Sequence, residues 1–356
     1  MLRVRKDGQG GAFTTIAAAI TDWAGPVHLK RNTIIAIEDS RTYAESLAIE
    51  PRDGGWLAIE ALSGTRPLVL GDITVTGSHD DAALTLSGLW VEGRVEVTGS
   101  LGHLRLLHTT LVPGPLVLGS GPESGPAIQP SLVVAGGAAP DLLNETLTLD
   151  LAFSVTGPLQ APRHARALRL LDCIIVADPD GDAIGSAAEP GPPTAMERCT
   201  VLGRTTVQAL LLASESILEG KVTSNRRQLG CARFSYLPPG SRTPRRYRCQ
   251  PDLEVEVELE ALVALTGTAP TDAERHAVAE RVGRWLVPAW TSRRWGQPGF
   301  AQLHAHCPQM IREGAEDGSE MGAFAHLKQP QRAANLRQRL DEYLPFGLDA
   351  GIVPVT

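Results

Sequence analysis

The sequence predicts an all-β solenoid: a right-handed parallel β-helix with an N-terminal helical cap and a small mixed α/β C-terminal module. A phrase of five residues, mostly apolar and usually closed by Gly, recurs between residues 84 and 223. Each copy follows a short run in which apolar and polar residues alternate, which is typical of half-buried strands. The copies begin at Leu89, Thr110, Phe153, Cys173 and Cys199, so they are 21, 43, 20 and 26 residues apart. A unit this short buries its apolar side only by stacking on another copy.

Residues 1–33 are predicted to form the N-terminal cap. A Gly-rich turn at residues 8–11 precedes a short amphipathic helix, for which Thr14 or Thr15 would supply the N-cap. The end of a solenoid exposes unpaired strand edges and apolar core, so something must cover it. This helix is the candidate cover.

Residues 34–225 are predicted to form the β-helix itself. Three short strands per unit describe one coil, and parallel coils stack at about 4.8 Å. A right-handed connection is the default between parallel strands. The interval of 43 residues is interpreted as two units. Insertions at residues 119–145 and 178–195 interrupt the rhythm, and we expect them to project as loops on which a ligand face would be built.

Residues 226–356 are predicted to form an irregular basic segment and the C-terminal mixed module. An alternating apolar pattern runs from Leu253 to Leu259, and two helical patterns follow at residues 271–286 and 331–344. Thr271 and Glu274 have the spacing of a capping box, which marks a helix start.

Composition restricts the partners and the compartment. A net charge of −7 argues against general nucleic-acid binding, which needs an excess of Lys and Arg. The N-terminus lacks the features of a signal peptide, and no apolar run approaches the length of a membrane span. We therefore expect a protein that stays in the cytoplasm or is exported only within a particle. Cys173 and Cys199 occupy equivalent positions of two units, and we interpret them as stacked, reduced core residues.

Charged residues at outward strand positions are the catalytic candidates. Asp150, Asp172 and Glu197 recur at about one-turn spacing and would stack into an acidic ladder, with Arg169 and Arg198 beside it. Hydrolysis of a glycosidic bond requires two carboxyl groups about 5 to 9 Å apart, which such a ladder would supply. The alternative interpretation is a solvated strand face with alternating charges.

Two motifs raise the question of a metal ion. Asp178, Asp180 and Asp182 alternate as in a calcium loop, although a suitable bidentate Glu at the twelfth loop position is missing. Calcium is the one cofactor that the sequence suggests, and a polar corner turn is the alternative. His304–Cys307 lacks the second ligand cluster of a zinc site.

The basic segment is the candidate binding surface. Seven arginines lie between residues 226 and 248, interleaved with aromatic residues, and would bind an anion by charge and stacking. The candidate binding residues are Arg242, Arg245, Arg246 and Tyr247. Alternatively, these arginines pair with acidic residues at 254–260 or 316–320 and attach the C-terminal module to the rod.

Three phrases outside the strand pattern carry a resemblance to a known family: Gly230–Tyr236, Pro239–Pro251 and Gly314–Phe324. Together with the repeats, they resemble uncharacterised bacterial proteins of the pectate-lyase-like superfamily of right-handed parallel β-helices. Some of those proteins are encoded with phage-tail-like contractile injection systems. The resemblance implies the fold but carries over no catalytic residues, because the Asp-rich and Arg motifs of active pectate lyases and polygalacturonases are not evident here.

Two hypotheses about function follow. The first is a non-enzymatic β-helix, a structural or binding module that joins a larger assembly or recognises a glycan, as a monomer or homotrimer. The second is a polysaccharide lyase or glycoside hydrolase that acts on an acidic polysaccharide. Turnover of uronic-acid polymers distinguishes the two.

Overall fold

The computed structural model describes residues 1–25, 32–51, 54–112, 128–138 and 140–351. Parallel pairing dominates, because strands one unit apart in the sequence lie beside each other. Each unit passes through three strand stacks in the same order, which agrees with a β-helix-like solenoid. The prediction of a repetitive, mostly parallel sheet structure is confirmed.

The three stacks are built from short strands and two long ones. The first stack contains Leu2–Val4, Asn32–Ile37, Trp56–Ala61, the ends of Ile73–Ser87 and Val95–Leu107, Thr148–Ala152, Ala167–Leu171, Thr194–Glu197, Leu210–Ser214, Cys231–Arg233 and Arg245–Tyr247. The second contains Thr42–Tyr43, Leu68–Leu70, Trp90–Glu92, Thr110–Leu111, Val155–Thr156, Ile174–Val176, Thr200–Leu202 and Ile217–Leu218. The third contains Leu47–Ile49, the beginnings of Ile73–Ser87 and Val95–Leu107, Leu132–Val134, Leu159–Gln160, Asp182–Ile184, Arg204–Val207 and Val222–Ser224. The long strands turn the corner between the third and first stacks.

Inward side chains of successive coils stack on one another to form the core. In the first stack the register places Ile59, Leu86, Leu106, Leu151 and Leu170 in one column. All five are at most 3% exposed. The alternation in the sequence thus becomes a continuous apolar interior, to which each coil adds one layer.

The corner between the first and second stacks repeats one backbone geometry. In seven coils a non-Gly residue there has a left-handed backbone, with φ between 47° and 52°. We call this set the corner column: His108, Phe153, Asp172, Arg198, Glu215, Phe234 and Arg248. The first six amides donate to a carbonyl of the following coil, as Asp172 does to Glu197 at 3.0 Å. These bonds offset the strain of left-handed backbone at residues that have a Cβ atom.

The residue after each corner points inward and is small and polar, or is Cys. This set comprises Thr109, Ser154, Cys173, Cys199, Ser216, Ser235 and Cys249, all of them buried. Each hydroxyl or thiol donates to the carbonyl two residues earlier. The interpretation of Cys173 and Cys199 as stacked core thiols is confirmed, since both are buried and free.

The interval of 43 residues is one unit and not two. Val95–Leu107 pairs directly with Thr148–Ala152, so no further first-stack strand separates them. Leu132–Val134 supplies the third-stack strand of this coil, and an antiparallel hairpin of Gly137–Ala138 and Asp141–Leu142 follows it. The extra length is inserted at corners of a single coil. Part of the predicted insertion, residues 119–127 and residue 139, lies outside the described residues.

Parallel pairing continues past the boundary predicted at residue 225. Cys231–Arg233 pairs with Leu210–Ser214, and Arg245–Tyr247 pairs with Cys231–Arg233. The first stack therefore runs into the segment predicted to be irregular. Short strands and outward arginines conceal the alternation there, because only one inward residue remains in each strand.

Arg246 ends the inward column at this last coil. The register places it against Ala232, which is fully buried. Its guanidinium group donates to the Ser241 carbonyl and to Asp252 at 2.9 Å each, and to Thr243 Oγ1 at 2.8 Å. A polar group with its own partners thus closes the apolar column.

The N-terminal helix α1 (Ile16–Ala24) begins at Thr15, whose Oγ1 accepts the amide of Ala18. It contacts the first strands of the first stack and buries four apolar side chains. The region predicted as a cap also contributes a strand, because Leu2–Val4 pairs with Asn32–Ile37.

The remaining helices lie in the C-terminal part. They are α2 (Asp252–Thr266), α3 (Asp272–Trp285), α4 (Gln309–Arg312) and α5 (Gln329–Tyr343), and short 3-10 helices occur at Gln9–Gly11 and Ala325–Leu327. The capping box of Thr271 and Glu274 starts α3 as predicted. The alternation at residues 253–259, typical of a strand, lies on α2 instead. There Val255 and Leu259 are four residues apart and pack on the C-terminal apolar cluster.

The chain between α3 and α5 covers the second stack. The amide of Ala323 donates to Thr200 Oγ1 at 3.1 Å, and Arg293 donates to Glu219 at 2.7 Å. Trp290, Phe300 and their neighbours pack on apolar residues of that stack. No helix in the described ranges combines the length and apolarity needed to cross a membrane.

Candidate functional site

The outer surface of the first stack, here called the first face, carries a charged cluster around Asp150. The register places Asp150 between Arg105 of the preceding coil and Arg169 of the following one. The nearest guanidinium nitrogen of each lies 3.9 Å from the carboxylate. His103 Nε2 lies closer, at 2.6 Å from Asp150 Oδ2.

The exposure within this cluster differs from residue to residue. The side chains of Arg105 and Arg169 are 51% and 64% exposed, whereas those of His103 and Asp150 are each 25% exposed. The carboxylate thus lies at the base and the guanidinium groups reach into solvent. With one carboxylate and two guanidinium groups, the cluster is positive even when the imidazole is neutral, and it attracts anions.

An aromatic pair flanks the charged cluster at the corner. The rings of His108 and Phe153 are stacked, with centroids 4.9 Å apart and planes inclined by 4°. Both side chains are exposed, Phe153 to 48%. Phe153 follows Asp150 by three residues, which places the rings about 10 Å along the strand from the carboxylate. Flat apolar rings and exposed cations thus share one surface.

Asp172 and Arg198 form a second ion pair, in the corner column. Arg198 Nε and Nη2 donate to the two carboxylate oxygens at 2.8 and 2.9 Å. The Asp172 side chain is only 3% exposed, and the bonds to it raise the pKa of the Arg198 guanidinium. This bidentate pair of consecutive coils satisfies both groups and leaves the carboxylate inaccessible to a substrate.

The predicted acidic ladder is not formed. Asp150 is in register with Arg169, Glu197 is in register with Leu171, and Asp172 lies in the corner column. The three carboxylates therefore belong to three different columns. Equal spacing in the sequence did not give equal register, because the strands and corners of successive coils differ in length.

The three aspartates of the predicted calcium loop have separate roles. Asp178 accepts the amide of Ile128 at 3.1 Å, and Asp182 bonds to Arg204 at 2.9 Å. Asp180 is exposed in the turn between them. In the part of the chain that the structure describes, no group of three or more His, Cys, Asp or Glu is arranged to hold a metal ion.

The predicted basic surface is divided between two roles. Arg246 is bound within its own coil, and the neighbouring Arg233 donates to Glu316 at 3.3 Å, as the attachment alternative predicted. Arg242, Arg245 and Tyr247 are exposed. Attachment to the C-terminal part thus uses some of these residues, and the exposed ones remain candidates for binding.

The described parts of the two predicted insertions meet at a cleft on the third stack. Its volume is about 340 Å³, and Gly136, Gln160, Pro162, Ser186 and Glu189 are among its lining residues. Gly136 belongs to the first insertion, and Ser186 and Glu189 belong to the second. The loops therefore border a cavity on a different stack from the charged cluster.

Sequence reasoning missed the contribution of His103 and Phe153. Neither residue belongs to a motif, and each becomes part of the site through its neighbour in the next or preceding coil. Alignment of the coils on their corner residues would have found both, since it places His103 and Arg105 in the coil before Asp150. Comparison of the chain with protein-family models and with curated proteins finds no match. Function is therefore inferred from the site itself.

Proposed function

We propose that this chain is a non-enzymatic β-helix that binds an acidic polysaccharide along its first face. The observation that carries the proposal is the row of Arg105, Asp150 and Arg169 beside the stacked rings of His108 and Phe153. Guanidinium groups bind carboxylates through paired hydrogen bonds. Exposed aromatic faces offer flat apolar surface on which a sugar ring can stack.

The proposed architecture is a right-handed rod closed by α1 at its N-terminal end, with the C-terminal module along its side. Coils about 4.8 Å apart present equivalent positions at intervals close to the length of one sugar residue. A polymer lying along the stack would meet the same surface at each step. The resemblance to proteins encoded with contractile injection systems places such a rod within a phage-tail-like particle, where it would contact a surface glycan.

Polysaccharide lyase activity is the second candidate, and one observation favours it. The contact between His103 and Asp150 positions an imidazole, and a lyase needs a base to remove the proton beside the uronate carboxylate. Hydrolysis has less support. Asp172 is sequestered by Arg198, and the register leaves the Cα atoms of Asp150 and Glu197 about 11 Å apart across two coils.

The test measures binding and turnover in the same samples. We expect the protein to bind polygalacturonate and not the neutral polymer dextran, and to release no unsaturated product. Replacing Arg105→Gln and Arg169→Gln together should weaken binding at least tenfold. The matched control is Arg226→Gln with Arg227→Gln, an exposed pair outside the first face, which should bind normally. Failure to bind any uronic-acid polymer would refute the proposal, and turnover abolished by His103→Ala would establish the lyase instead.

A further inference from the structure

Helix α5 lacks the packing that normally stabilises a helix. It spans 15 residues, none of them buried, and contributes to no apolar cluster among the described residues. Its hydrogen bonds and ion pairs to other described elements come from its first turn, where Lys328 and Gln331 contact Asp317. An isolated helix of this length is marginal in water, so tertiary contacts usually stabilise it. A surface that covers α5 is therefore expected.

One side of α5 presents a regular stripe to solvent. Arg332, Leu336, Arg339 and Tyr343 follow one another at intervals of four, three and four residues, which places them on one face. All four are exposed, Leu336 to 46% and Tyr343 to 81%. The stripe alternates cation, apolar group, cation and apolar group along about 16 Å.

Helix α2 carries the complementary stripe. Glu256, Val257, Glu260 and Val263 lie within one exposed arc of the helix, opposite the side that packs on the C-terminal cluster. Val257 is 49% exposed and Val263 39%. Going along the helix, the order is anion, apolar, anion, apolar. Laid parallel to α5, this stripe sets each carboxylate against a guanidinium group and each valine against Leu336 or Tyr343.

We propose that α5 of one copy of this chain docks on α2 of a second copy, and that α2 of the first receives α5 of the second. Within one chain, no hydrogen bond or ion pair joins the described residues of the two helices. A second copy supplies both missing partners at once, as a two-fold symmetric dimer does. Pairing of two α5 helices with each other would leave the apolar stripe of α2 in water.

Charge reversal tests the reciprocal arrangement. Light scattering of the full chain should give twice 37.9 kDa. The variant Arg332→Glu with Arg339→Glu, and separately Glu256→Arg with Glu260→Arg, should each be monomeric, with dimer affinity lowered at least tenfold. A mixture of the two variants should dimerise again, because one docking contact keeps the native charges and the other has both charges reversed.

The matched control is Arg226→Glu with Arg227→Glu, which makes the same change in net charge on the solenoid and should remain dimeric. Three outcomes overturn the proposal: a wild-type chain that is monomeric up to about 100 μM, a trimeric mass, or a dimer that survives both reversals. A mixture that stays monomeric also overturns it, since it shows that α5 and α2 are not each other's partners.

Discussion

His103 Nε2 lies 2.6 Å from the Oδ2 atom of Asp150, a residue of the following coil. Neither residue is recognisable as part of a site in the sequence, where 47 positions separate them. The contact exists because the coil between them is long while the strands that it joins are adjacent. One carboxylate thus contacts an imidazole and approaches two guanidinium groups, and its charge decides the balance of the first face.

Asp150→Asn should strengthen binding of polygalacturonate. The change preserves the shape of the side chain and removes the one carboxylate of the cluster, so the attraction between the arginines and a polyanion increases. A unit charge about 4 Å away in water contributes about 1 kcal/mol, which predicts a gain of about threefold to fivefold. Isothermal titration at low salt measures it. A lyase that depends on Asp150 would instead lose turnover.

Arg246→Ala should lower the free energy of unfolding by about 1 to 3 kcal/mol, because the Ser241 carbonyl and Asp252 lose their donors at the end of the core. Arg245→Ala in the same strand is the control. Its side chain is exposed, and the change should stay within about 0.5 kcal/mol. Urea unfolding compares the two. Equal losses would mean that Arg246 has no special role at the end of the column.

Glu320→Gln should stabilise the protein at pH 8 and have little effect at pH 4. Glu320 is 8% exposed, and burial raises its pKa to about 7, with Arg312 opposing the shift. Between pH 4.5 and 7 the folded chain keeps a proton that the unfolded chain releases, so this carboxyl lowers stability as the pH rises. Above pH 7 the cost reaches about 3 kcal/mol. The gain measured by urea unfolding should therefore grow with pH.

The control for this prediction is Glu313→Gln, an exposed position nearby. Its effect should not vary with pH over the same range. If the Glu320→Gln gain is the same at pH 4 and pH 8, the carboxyl does not titrate between the folded and unfolded states as described.

One of the five thiols should react quickly with a disulfide reagent in the native protein. Cys173, Cys199, Cys249 and Cys307 are buried, whereas Cys231 is partly exposed, and all five are free. Only the thiolate of an accessible Cys attacks such a reagent at an appreciable rate. Absorbance of the released thiol should show one equivalent at once and five in urea. Cys231→Ser should remove the fast phase.

The sequence predicted the parallel repeat well because inward alternation is a property of each strand by itself. It failed where two interpretations fit the same residues. Leu253 to Leu259 alternate with glutamates, a pattern that suits a strand, yet Val255 and Leu259 also satisfy the four-residue spacing of α2. The left-handed Gly267 and the acidic first turn agree with the helix.

The site was less predictable because it depends on register. Asp150, Asp172 and Glu197 are similarly spaced in the chain, but the number of residues in each corner decides the column that each side chain joins. Cys173 and Cys199 could be aligned because both immediately follow a corner. Residues next to that fixed point are predictable, and those separated from it by insertions are not.

The corner column has a further consequence for how this surface can change. Its backbone is held by amide bonds between coils, and seven chemically different side chains already occupy it with nearly the same φ. Substitutions there alter what the molecule displays while its frame stays intact. The column is thus a natural position for laboratory diversification, in which each turn of the chain offers one independently variable attachment point.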